Sequence, residues 1–211
     1  CTMAGSGTPS DVYWFVPNLI GYCRIVSGLA AFFFALSNYQ AFFALYFISY
    51  FLDAFDGYAA RALNQSSRFG QVLDMVTDRA TTSGLLVVLG CIYQPYLPFW
   101  VGLLALDISS HYCQMYSTLL GGGESHKSVA ASENPLLRVY YTSRPVLFTL
   151  CMFQEVFLMF MYLHHFIPHT YLSYGIYVSA PFFLLKQIIN VLQWNSSVRK
   201  LVERDWADRS K

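Results

Sequence analysis

Six stretches of about twenty predominantly apolar residues recur along this 211-residue chain, at 19–38, 41–62, 73–92, 97–119, 144–166 and 171–194. Each is close to the ~20 residues a helix needs to cross the hydrocarbon core of a bilayer. Lipid offers the backbone no hydrogen-bond partners, so long apolar stretches of this kind cross it as helices. An all-α polytopic membrane protein with six transmembrane helices is therefore the expected fold. Composition agrees: 55% of the residues are hydrophobic and only 12% charged, too few charges to cover a soluble globule of this size. The second, third and fourth stretches carry acids, so hydropathy marks them less strongly than the others.

The breaks between stretches are short and polar or Pro-bearing: "ALSNYQ", "YQPYLP" and "HHFIPHTY". One longer polar segment, "LLGGGESHKSVAASENPLLRVYYTSR" at 119–144, reads as a loop. The turns after the first, third and fifth stretches hold no Lys or Arg, while the other side receives Arg61, Arg68, Lys127, Arg138, Arg199, Lys200, Arg204, Arg209 and Lys211. That bias predicts a cytosolic second side, and an even number of crossings then places both termini in the cytosol. No cleavable leader is evident, so the first stretch is expected to remain as an anchor. The expected organisation is one transmembrane domain over 12–200 with polar termini at 1–11 and 201–211. A formal net charge of +1 gives no footing for nucleic-acid binding. Cys1, Cys23, Cys91, Cys113 and Cys151 show no ligand spacing and read as small buried hydrophobes rather than disulfides. His164, His165 and His169 lack a zinc-like partner set.

Against that apolar background, "DAFDGYAARALNQSSRFGQVLDMVTD" at 53–78 holds four aspartates. At 100° per residue, Asp53, Asp56, Gly57, Ala60 and Arg61 share one face of a helix. Gly57 and Ala60 are small and allow close approach by a backbone or a ligand. Asp74 and Asp78 are four apart on the next helix, after a short turn, so all four carboxylates can surround one point. Clustered acids near hydrocarbon repel one another and need positive charge. Hard divalent ions such as Mg²⁺ or Mn²⁺ suit an oxygen-only set and commonly bring substrate phosphates with them. A proton or ion path is an alternative, as is structural pairing of the acids with Arg61, Arg68 and Arg79.

The spacing Asp56-Gly57, Ala60-Arg61, Gly70, Asp74, Asp78 matches the signature D-G-x2-A-R-x8-G-x3-D-x3-D without interruption. The chain thereby resembles the CDP-alcohol phosphotransferase family. "FVPNLIGYCRIV", "GESHKS", "NPLLRVYYTSRPVLFTLC" and "YLHHF" extend the resemblance to the eukaryotic members that use inositol. The likeness covers about residues 12–200. It implies a polytopic domain around a cytosol-facing polar cavity, in the endoplasmic reticulum, and homodimers as a form the family often takes. It implies transfer of phosphatidyl from CDP-diacylglycerol to myo-inositol with release of CMP; sister enzymes use glycerol 3-phosphate or an amino alcohol. Asp53, Asp56, Asp74 and Asp78 are implied as ligands of two Mg²⁺ or Mn²⁺ ions, with Asp78 also the general base. Gly57, Ala60, Arg61 and Gly70 are implied to receive the cytidine and pyrophosphate of the donor. Asn18 joins them, its local alternative being a cap on the first helix.

Choice of acceptor is expected outside the signature. Lys127 and Arg144 correspond to basic residues that in the family hold inositol or its phosphate. For Lys127 the alternative is a solvated loop lysine, and for the tyrosines of "VYYTS" an interfacial belt. Arg138 is either a pocket or a surface residue. Lys186 either faces the cavity or snorkels. A transporter or scaffold, with the acids dispensable, is the reading an intact signature argues against.

Overall fold

A computed structural model describes residues 8–120 and 134–210. It is all helical and divides into two compact units, residues 1–84 and 85–211. A short 3₁₀ helix, Pro9–Trp14, precedes α1 (Val16–Phe34), α2 (Tyr39–Ala62) and α3 (Arg68–Ile92), which runs on into the second unit. There a 3₁₀ turn, Gln94–Tyr96, leads to α4 (Leu97–Leu120), followed by α5 (Pro135–Thr142), α6 (Arg144–Phe166) and α7 (Thr170–Arg209).

Local chemistry sets most of these boundaries. Asn38 caps α2, its Oδ1 accepting from the Ala41 amide at 3.0 Å. That helix ends through Asn64, which takes the left-handed conformation (φ 54°) common just past a helix C-terminus. Ser67 caps α3, its hydroxyl accepting from the Gly70 amide at 2.9 Å. Asn134 and Pro135 begin α5 in the same way, with Asn134 Oδ1 accepting from the Leu136 amide at 2.9 Å.

In the first unit, two glycines of α1 govern how near α3 and α2 can come. A Cβ on Gly21 would meet Leu73 Cδ2 at 2.9 Å, and one on Gly28 would meet Thr81 Cγ2 at 2.9 Å. Small residues of this kind let membrane helices pack backbone to backbone. In the second unit, Leu137, Tyr140, Leu150 and Ile189 form a core cluster. Stacked pairs Phe153–Phe182 and Phe157–Phe183, each with centroids 4.3 Å apart, join α6 to α7. One face of α7 carries Lys186, Asn190, Gln193 and Ser197, all buried. Gln193 Oε1 accepts from the Tyr141 hydroxyl at 2.8 Å, and the Ser197 hydroxyl donates to Gln114 Oε1 at 2.6 Å.

The expected count of six spans is corrected. Among the described residues, four helices are long and apolar enough to cross a membrane: Val16–Phe34, Arg68–Ile92, Arg144–Phe166 and Thr170–Arg209. The helices at 39–62 and 97–120 have the length but are not among them. Asp53, Asp56 and Arg61 with several tyrosines dilute the first; Asp107, His111, Gln114 and four serines and threonines dilute the second. The chain is a multi-pass membrane protein by its apolar helices. Two smaller corrections follow. The last helix continues to Arg209 rather than stopping near 194. Cys23 and Cys91 lie on exposed helix faces rather than in the interior.

Candidate active site

All four aspartates of the 53–78 segment converge, and they do so on a residue that spacing within the segment does not reveal. Arg24, near the middle of α1, is 2% exposed. Its Nη1 lies 2.8 Å from Asp53 Oδ1, 2.5 Å from Asp56 Oδ2 and 2.8 Å from Asp74 Oδ1. Its Nη2 pairs with Asp78 Oδ1. Structural pairing of the acids is thus real, but with Arg24. Of the three arginines expected for that role, Arg79 approaches Asp78 at 4.0 Å, while Arg61 and Arg68 are exposed. The signal for Arg24 was available in the sequence: a lone arginine inside an apolar stretch is costly without acidic partners.

Asp53, Asp56 and Asp74 each offer a carboxylate oxygen, and the three oxygens lie within 4.8 Å of one another. Only carboxylates make up this set, the donor chemistry that suits hard divalent ions. The cluster can therefore hold a divalent metal. Four carboxylates against the Arg24 guanidinium, with Arg79 at 4.0 Å from Asp78, leave an excess of negative charge that further positive charge would offset.

Beside the cluster lies a cavity of about 240 Å³ whose lining includes Asp56 and Asp74. Gly57, Ala60, Arg61, Gly70 and Asn18 line the same cavity. Their common place follows from how α1, α2 and α3 meet. The Asn18 side chain is buried and donates to the Val12 carbonyl at 2.5 Å, so it does not cap α1, whose cap position is Phe15. A Cβ on Gly70 would stand 2.8 Å from Asn18 Oδ1 and 3.1 Å from Ser67 Oγ, so glycine is what lets α3 close on this asparagine. By contrast a Cβ on Gly57 would be in ordinary contact with Arg61 Nη1 at 3.5 Å. Gln65 Oε1 accepts from the Val16 amide at 2.9 Å and ties the turn after α2 to the start of α1.

The residues expected to choose the acceptor are less gathered. Lys127 lies outside the described residues. Arg144 is the first residue of α6 and exposed, and Arg138 is exposed on α5. Lys186 does not snorkel: it is 1% exposed, donates to Asn190 Oδ1 at 2.5 Å and stands 5.5 Å from the centroid of the Tyr140 ring.

A cage of aspartates on two helices, facing a cavity lined by the rest of the signature, defines a class, and comparison with known proteins names it. The chain belongs to the CDP-alcohol phosphatidyltransferase family, whose profile matches residues 14–121. Beyond the profile, it is similar along nearly its whole length to CDP-diacylglycerol–inositol 3-phosphatidyltransferases. The Candida albicans enzyme is 45% identical over 95% of this chain and 87% of its own length. The human enzyme is 44% identical over 95% of this chain and 97% of its own. That of Saccharomyces cerevisiae is 43% identical over 94% and 90%. No solved structure matches the chain.

Proposed function

We propose that this chain transfers the phosphatidyl group of CDP-diacylglycerol to myo-inositol, giving phosphatidylinositol and CMP. The observation that carries it is the gathering of Asp53, Asp56, Asp74 and Asp78 on one point next to a cavity lined by Gly57, Ala60, Arg61 and Gly70. Whole-length similarity to inositol-using enzymes supplies the acceptor.

In this reading Asp53, Asp56, Asp74 and Asp78 hold two Mg²⁺ or Mn²⁺ ions, which when bound neutralise pyrophosphate charge and stabilise the departing CMP. Gly57 and Ala60 leave room for the donor's head, and Arg61, Gly70 and Asn18 complete its seat. Asp78 accepts the proton of the inositol hydroxyl. The freed oxygen attacks the phosphorus that carries diacylglycerol, a new P–O bond forms, and the bond to CMP breaks. None of the signature's fixed positions is a Ser, Cys or His that could carry the group in between. Lys127 and Arg144 hold the inositol.

The domain is the single unit of chemistry from 12 to 200, with 1–11 and 201–211 as polar termini. It sits in the endoplasmic reticulum membrane with both termini cytosolic, a placement supported by the family resemblance; a homodimer is the proposed assembly. Purified protein given CDP-diacylglycerol and Mg²⁺ should release CMP only when inositol is added. Robust release with glycerol 3-phosphate, choline or ethanolamine and none with inositol would overturn the acceptor. Unchanged release in excess chelator would overturn the metal.

A further inference from the structure

Arg24 divides its fork. Nη1 serves Asp53, Asp56 and Asp74 at 2.5 to 2.8 Å, the same three residues whose oxygens are close enough to share an ion. Nη2 serves Asp78. A divalent ion on the three oxygens that Nη1 contacts, at the ~2.1 Å typical of magnesium, would need the space that Nη1 fills. Two cations cannot share that space.

We infer that the Arg24 guanidinium and the divalent cation are alternative occupants of the carboxylate cage, so that Arg24 is an internal counter-ion exchanged for the metal. This inference rests on the metal-dependent function proposed above. With Nη1 in place, the cage is held assembled by a charge the chain itself supplies. When the ion enters, Nη1 withdraws from the three shared carboxylates. The residue positions the carboxylates and sets how tightly they take the ion.

Two features favour exchange by the side chain alone. The Arg24 carbonyl accepts from the buried Ser49 hydroxyl at 2.9 Å, which holds the backbone where α1 meets α2. Nε is buried and makes no hydrogen bond. Only the terminal nitrogens therefore hold the fork by hydrogen bonds. A withdrawn guanidinium still leaves its charge near the ion, so wild-type affinity is lower than the four acids alone would give. Neutralising Arg24 should then move two quantities in opposite directions. Metal affinity should rise, while the metal-free protein should lose the charge that holds its acids together.

The test uses the full chain in detergent, with Mn²⁺ as the probe and its free-ion electron paramagnetic resonance signal as the readout. Arg24→Gln, purified in Mn²⁺ and then exchanged, should bind Mn²⁺ about tenfold more tightly than wild type, the size of a like-charge effect at close range. Its unfolding midpoint should drop by several degrees in chelator, on the order of the shift expected for a buried ionic loss, and return toward wild type when Mn²⁺ is restored. Arg24→Lys keeps a charge without the fork and should fall between the two in both measurements. It also serves if the Gln variant does not survive chelator. Equal or weaker Mn²⁺ binding by a folded Gln or Lys variant would overturn the exchange while leaving the metal chemistry in place. No Mn²⁺ uptake by wild type or variants would overturn the metal-dependent function, and the exchange with it.

Discussion

Two polar interiors lie inside this apolar chain, and they are made from different materials. Within residues 1–84 the buried polarity is ionic: four carboxylates from α2 and α3 meet the guanidinium of Arg24. Within residues 85–211 it is mostly amide and hydroxyl. Asn190, Gln193 and Ser197 share one face of α7 and bond to Lys186, Tyr141 and Gln114. Amides and hydroxyls carry both donors and acceptors and can satisfy one another, whereas ionised carboxylates only accept. The second interior therefore meets much of its hydrogen bonding from within. The first calls for more positive charge than the chain brings to it, and that surplus is what a reaction on a pyrophosphate can use.

Substitutions can break this contrast. The largest effect should come from the cage: Asp56→Asn or Asp74→Asn should take CMP release to assay background while the protein still elutes as a folded species in detergent. Residual turnover near wild type would place these acids with the structural interior. Next comes Asp78→Asn, with turnover down by about 10² to 10⁴, the usual worth of a positioned proton acceptor. CDP-diacylglycerol binding should weaken far less than in Asp56→Asn, and equal weakening would make Asp78 a ligand only. Arg144→Gln should raise the inositol KM by about tenfold, as for loss of a hydrogen bond from a charged group. Its donor KM should hardly move; parallel changes in both would remove its dedicated role.

The smallest effect on turnover should come from the other interior. Asn190→Ala removes the acceptor 2.5 Å from Lys186 Nζ and should cost about 1–3 kcal/mol of stability. Turnover per folded molecule should remain within about twofold of wild type. A thermal melt beside the CMP assay checks both, and a large catalytic loss at normal stability would move this cluster into the active machinery.

Much of this was legible in the sequence, and for identifiable reasons. Apolar runs bounded by Asn38, Pro95 and Pro168 place the long helices to within a few residues, the end of α7 apart, because those breakers end helices by sterics and capping. The acids 53, 56, 74 and 78 were legible because helical spacing alone puts each pair on one face. Arg24 is not legible from sidedness, which concerns basic residues in loops; the signal that marks it is the cost of a lone charge within a span. The number of spans was overcounted because length was given more weight than the polar groups inside 39–62 and 97–120. The end of α7 was missed because the charged run "VRKLVERDWADR" looks like a tail, although most of its residues favour helix.

That last helix has a mechanical meaning. At about 1.5 Å per residue, its 40 residues rise roughly 60 Å, about twice the ~30 Å thickness of hydrocarbon. The outer turns cannot all be immersed, and they are not loose: Arg199 pairs with Glu203 at 3.0 Å and Arg204 donates to the Leu120 carbonyl at the end of α4. The last turns of α7 thus continue as helix beyond the length that hydrocarbon can bury. A fluorophore carried near Arg209 would read its height above the bilayer.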